Sequence, residues 1–106
     1  MKGELRDLPE GWYPASEQDE SRLADELRRE LTPGHLLYGR PVRVIAHRNG
    51  ATDDILVAHR DQPGRFTVVH LTWRGGPEIN QAHPSVECDG DYAAFLEYEA
   101  RWSARE

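Results

Sequence analysis

Three histidines could do chemistry: His47, His59 and His70, in the runs VRVIAHR, DILVAHR and FTVVHLTW. Imidazole titrates nearest neutrality of all side chains, so it serves as general acid, general base or metal ligand. Each role needs company. A metal needs several ligands converging from one face, and acid–base work needs a carboxylate that fixes the ring's tautomer. Asp54 is the best-placed carboxylate in the sequence. Its neighbour Asp53 cannot share the task, because adjacent strand residues point to opposite faces. A nucleophile is missing, since Ser85 and Cys88 carry no surrounding motif and no G-x-S-x-G occurs. Glu78 and Glu87 bracket a stretch near Trp73 and His83 that would make a cleft only if the chain folded back on the sheet. Gly75-Gly76-Pro77 lacks the lysine and the following helix that a phosphate loop requires. Cys88 is the only cysteine, which excludes an internal disulfide and a zinc-site spacing. The expectation is no metal and no cofactor, with His47, Asp54 and His70 as the catalytic candidates.

The elements that hold these residues can be read from periodicity. Residues 42–73 follow a strand-like pattern rich in β-branched residues, broken by NGATD and DQPG. Short connections between strands require antiparallel neighbours, so the reading is a three-stranded meander with a short fourth strand at PSVEC. If Asn49 faces Thr52 and Arg60 faces Arg65, His47 lies opposite Asp54. His59 and His70 then share the other face at opposite ends, His70 opposite Ile55. This register brings no three imidazoles together. It makes His47–Asp54 the acid–base candidate and His70 a buried, hydrogen-bonded histidine among apolar neighbours. Both faces of the meander are largely apolar, whereas a sheet with one wet face alternates more cleanly. A helix on each face, or a helix on one and a second copy of the chain on the other, must cover them.

Two helices are available. SEQDESRLADELRREL at 16–31 carries Ser16 as N-cap, acids in its first turn and Leu23, Leu27 and Leu31 as one narrow stripe, its charges forming a solvated face. DGDYAAFLEYEARWSAR at 89–105 places Tyr92, Phe95, Leu96, Glu99 and Trp102 at helical spacing behind Asp89 or Asp91 as cap. Residues 1–15 read as an irregular segment broken by Pro9, Gly11 and Pro14. The fold expected is α+β: an N-terminal helix, a three- or four-stranded antiparallel meander and a C-terminal helix, forming one domain over 16–106.

Composition narrows the function classes. The chain has 106 residues, enough for one core, and a net charge of −6, which opposes general nucleic-acid binding. It lacks any apolar run of the roughly 20 residues that cross a bilayer, and its first residues lack the apolar core of a secretory signal. A cytoplasmic protein without membrane association is expected. The aromatics Trp12, Tyr13, Trp73 and Trp102 are the candidate binding residues, because large side chains in excess of a small core mark contact surfaces where they stay exposed.

The stretch GHLLYGRPVRVIAHRNGATDDILVAH, with FTVVHLTW and GGPE after it, resembles a group of small uncharacterised bacterial proteins that share a VHLTW strand, a DD-x-L strand and a closing helix. The matching positions are His35 through Gly39, Asp53 through Leu56 and Val69 through Trp73, and the similarity spans roughly residues 20–100. The resemblance implies a compact α+β domain and assigns no catalytic residue. Small size, acidity and the lack of a catalytic motif favour a protein-interaction module, immunity- or antitoxin-like, with a protein partner. The alternatives are a small hydrolase or isomerase using a His–Asp pair, and a domain that binds a regulatory small ligand.

Overall fold

The computed structural model describes residues 8–9, 11–48, 51–71 and 85–104, with the side chains of 51–53, 85 and 102–104 left aside. The expected turn at Asn49-Gly50, and Trp73, Glu78 and His83, lie outside the described residues. Seven elements follow in order: β1 (Trp12–Pro14), α1 (Glu17–Glu30), β2 (Val42–Arg48), β3 (Ala51–His59), β4 (Phe66–His70), β5 (Ser85–Gly90) and α2 (Tyr92–Ala104). The strands form one antiparallel sheet in chain order, β1-β2-β3-β4-β5. The sheet therefore has five strands, not three or four. The extra strand is Trp12–Pro14, in the segment expected to be irregular. It pairs Trp12 with Arg48, Tyr13 with His47 and Pro14 with Ala46, so its strand character comes from a partner 32 or more residues away. A three-residue strand that ends on Pro14 gives no local periodicity to read.

The helices obey their local signals. Ser16 accepts a hydrogen bond from the Asp19 amide at 3.1 Å, and Glu17, Asp19 and Glu20 sit at the positive end of the α1 dipole, Arg28 and Arg29 at the other. Asp91 caps α2 through a 2.8 Å bond from the Ala94 amide. The chain turns between β3 and β4 at Gln62-Pro63-Gly64-Arg65, closed by the Arg65 amide on the Gln62 carbonyl at 3.0 Å. Pro63 presets the second position and Gly64 takes φ +90° at the third, a type II arrangement that L side chains resist.

The sheet is sandwiched between the helices, which settles what covers each apolar face. On one side Leu23 and Leu27 of α1 join Leu37, Val44, Ile55, Val57, Val69 and Leu71. On the other Phe95 of α2 joins Trp12, Ile45, Ala46, Leu56, Phe66 and Val68. Ile55, Leu56 and Val57 are all fully buried, as a central strand covered on both faces must be. A second copy is not needed to close the sheet. The α1 stripe is wider than the leucines alone, for Glu26 and Glu30 are buried on it too. The expectation of a wholly solvated charged face fails there. Among the described residues no helix is long and apolar enough to cross a membrane.

Register departs from the simplest pairing in several places, two of which move the candidate residues. Val42 and Val44 face His59 and Val57 as expected, but a bulge at Ile45 then sets Ala46 against Leu56 and His47 against Ile55. Across the next pair, Ala58 faces Phe66 and Asp54 faces His70. That is one residue away from the register built on Arg60 facing Arg65, and a one-residue slip turns every side chain of a strand over. Val69 therefore points toward α1, while Phe66 and Val68 point toward α2.

Candidate functional site

The slip changes which acid meets which histidine. His70 Nδ1 lies 2.6 Å from Asp54 Oδ1, across the β3–β4 ladder. His47, expected opposite Asp54, instead points toward α1, with its Nε2 3.4 Å from Asp19 Oδ2. The Ile45 bulge spends one residue and turns the rest of β2 over, which separates His47 from Asp54. The His70 side chain is 47% exposed, so the expectation of a buried histidine is corrected as well. It is the last residue of β4.

Asp54 is the middle of a chain of charges. Its second oxygen accepts from Arg48 Nε at 3.0 Å. The rest of the Arg48 guanidinium grips Glu99 of α2 in a fork, at 3.1 and 2.8 Å. The same guanidinium lies over the Trp12 ring, 4.8 Å from its centroid. Trp12 is buried and meets Phe95 edge-on, so this candidate binding residue belongs to the core. Burial works against the Arg48 charge, but the hydrogen bonds to Glu99 and Asp54 outweigh it and hold the guanidinium above the ordinary arginine range. A ring with one nitrogen on an anchored carboxylate has a set orientation, which is half of an acid–base site. Sequence reading missed Arg48 and Glu99. The one available signal was Glu99 itself, an acid in the middle of an apolar helix stripe.

A second polar network is packed beneath the β3–β4 turn. Thr67 donates to Asp89 Oδ1 at 2.7 Å, so its oxygen is left to accept from His59 Nε2, also at 2.7 Å. Arg65 clamps Asp89 with two bonds, at 3.0 and 2.8 Å. Those bonds hold the Asp89 carboxyl below its usual range. His59 Nδ1 is buried without a hydrogen-bond partner. Burial pushes the His59 pKa down, because it strips water from the charged ring, and the Arg65 charge adds to the effect. This network is closed to solvent at the histidine and is built to hold β3, β4 and β5 in register.

The third arrangement is a groove between α1 and the start of β2. Two hollows of about 370 and 260 Å³ adjoin there, sharing Ala24, Arg28, Val42 and Val44. Leu27, Leu31 and Leu37 extend the apolar floor. Arg28, Arg40, Arg43 and Arg60 stand around it, against Glu17 and Glu20. Arg28 meets Asp25, Arg43 meets Glu20 at 2.9 Å and Arg40 meets Asp61 at 3.3 Å. The Arg60 side chain makes no ion pair among the described residues. Exposed pairs of this kind are worth under about 1 kcal/mol, so an incoming carboxylate can replace any of these acids at small cost.

Of the other candidates, Tyr13 is half exposed on the edge strand and Trp102 lies on α2. Cys88 is half-buried, and burial beside the Asp89 charge pushes its thiol up, away from a reactive thiolate. Among the described residues no group of three or more histidines, cysteines or acids could hold a metal ion. No protein-family model, curated protein or solved structure matches this chain.

Proposed function

We propose that the protein is a small non-catalytic binding module, immunity- or antitoxin-like, which covers a protein partner with the groove between α1 and β2. The groove's composition carries this reading: Arg28, Arg40 and Arg43 in exchangeable ion pairs, Arg60 beside them, and Glu17 and Glu20 opposite, around a partly apolar floor. Exposed arginines whose ion pairs are weak can exchange their carboxylates for a partner's, and the half-buried Ala24, Leu31 and Val42 supply apolar contact area. The test is a pull-down from the native host, with the wild type beside an Arg28→Glu/Arg43→Glu/Arg60→Glu variant. A partner held by the wild type and released by the variant supports the reading. Equal capture by both, or repeated recovery of the free protein alone, refutes it.

The 2.6 Å pairing of His70 with Asp54 favours a second reading, a small hydrolase or isomerase with His70 as proton carrier. The exposed ring and its anchored carboxylate are the support. If a panel of chromogenic esters and phosphates reveals turnover, His70→Ala must lower it at least tenfold, the lower end of general acid–base contributions being about a hundredfold. Turnover unchanged in His70→Ala removes this reading.

A further inference from the structure

Glu99 lies near the His70–Asp54 pair without touching the ring. It sits on α2 with its side chain only 7% exposed. A charge so little exposed needs an opposite one, and the Arg48 fork provides it. Arg48 is not spent on that pair alone. Its Nε donates to Asp54 Oδ2 at 3.0 Å, while Asp54 Oδ1 lies 2.6 Å from His70 Nδ1. The signs therefore alternate along one line: Glu99 negative, Arg48 positive, Asp54 negative. Arg48 and Asp54 alone would cancel, and a proton on His70 would gain little from a neutralised carboxylate. With Glu99 the three groups carry one net negative charge, which is what an imidazolium needs. Exposure falls from the half-exposed ring to the buried Glu99, so water screens the inner members poorly. Other charges stand on the neighbouring elements. On β5, which sets Ser85 opposite His70, Glu87 is exposed and Asp89 is taken by Arg65 and Thr67. On α2, Glu97 and Arg101 are exposed.

We infer that Glu99 is a positioning residue for His70: through Arg48 and Asp54 it supplies the negative charge that supports a proton on the ring. The inference rests on the second reading, in which His70 carries a proton, and adds what sets the ring's hold on it. Arg48 keeps Asp54 a carboxylate, which can only accept, so the ring donates from Nδ1. Glu99 keeps the Arg48 charge from cancelling that carboxylate, and its own fork leaves only Nε for Asp54. Without the Glu99 charge the guanidinium is free to turn a second N–H onto Asp54 and compete for the oxygen that faces His70. A tether between α2 and the sheet would need the Arg48–Glu99 fork alone, and its loss would disturb packing without a sign. A charge effect has a sign, and the two can be told apart.

The test is an NMR titration of the His70 ring in the full chain at low ionic strength, its signals assigned by comparison with His70→Gln. Glu99→Gln removes the charge and keeps the side chain's shape and an oxygen for the guanidinium. At about 10 Å, the span of this line of hydrogen bonds, one unit charge changes proton binding about twofold even at the dielectric constant of water. The His70 midpoint should therefore move to lower pH in Glu99→Gln, the proton being held at least twofold more weakly than in the wild type. Glu99→Leu suits the buried position, should do the same, and decides the matter if Glu99→Gln does not fold. Arg48→Met/Glu99→Leu removes one charge of each sign and should bring the midpoint back toward the wild type. An unchanged midpoint in a folded Glu99 variant overturns the inference. So does a double variant as weak as Glu99→Leu, since lost packing and not lost charge would then be the cause. The titration uses no substrate, so the two ideas fail separately: turnover that survives His70→Ala removes the second reading, and the midpoints alone decide the role of Glu99.

Discussion

Replacing Arg48 by methionine tests the chain of charges that ties α2 to the sheet. Methionine keeps the apolar stem and removes the fork that holds Glu99. The Glu99 side chain is only 7% exposed and the Arg48 side chain 25%, so this pair is the most buried of the carboxylate–arginine forks described. Removing one member of a buried pair costs about 3 kcal/mol or somewhat more, because the remaining charge stays desolvated. Loss of the contact over Trp12 adds about 0.5 kcal/mol. At about 2.1 cal/mol/K per residue, the unfolding entropy of a chain this long is ~0.22 kcal/mol/K, so 3 kcal/mol lowers Tm by ~13 °C. Differential scanning calorimetry at pH 7 reads this directly. The control is Arg48→Met/Glu99→Leu, which removes both charges and recovers most of the loss, since apolar replacement of a whole buried pair is close to neutral. A single variant within about 1 kcal/mol of the wild type, or a double variant as unstable as the two singles summed, would refute the argument.

Other expectations follow from the same geometry. His59 has its pKa lowered in the folded state, so as pH falls below its ordinary value of 6.5 the unfolded chain takes the proton first and stability declines. The urea midpoint should be lower at pH 5 than at pH 7, and His59→Gln, which keeps a donor for Thr67, should reduce that difference; an unchanged difference excludes His59 as its source. Asp89 is lowered by Arg65, so its contribution is full above 3.8 and is lost as pH falls through the depressed value; Asp89→Asn should flatten this acid limb in the same titration. Gly64→Ala forces an L side chain to φ +90° and should cost about 1–2 kcal/mol by urea unfolding, although nothing crowds the position. Leu27→Ala should cost about 2–5 kcal/mol, since the side chain is buried against both Leu37 and the sheet, and a cost below 1 kcal/mol would mean that α1 is not anchored there.

Much of this architecture was legible in the amino-acid order because it is set by local physics. Caps and stripe spacing place both helices, and Pro63-Gly64 places the β3–β4 turn. The apolar character of both sheet faces required two covers, and α1 and α2 supply them. The short strand at Ser85–Gly90 was visible as PSVEC. Trp12–Pro14 was not, since a three-residue edge strand borrows its conformation from β2.

The acid–base pair was read from the right residue types and the wrong register. His47, His70 and Asp54 were all visible, but which histidine meets Asp54 depends on the Ile45 bulge and on one residue of slip between β3 and β4. No local propensity marks that bulge. It is stabilised where Ile45 and Ala46 both pack toward α2 and the Ile45 carbonyl accepts the Ala15 amide. Sequence alone therefore determined both helices, the strands other than Trp12–Pro14 and the need to cover the sheet twice, because these follow from contacts within a few residues. Only the tertiary structure decided that Asp54 joins His70 to Arg48, that Glu99 is buried against that arginine, and that four arginines and two glutamates gather around the groove between α1 and β2. Each of those groupings is made by strands and helices meeting across tens of residues, where a shift of one position changes every partner.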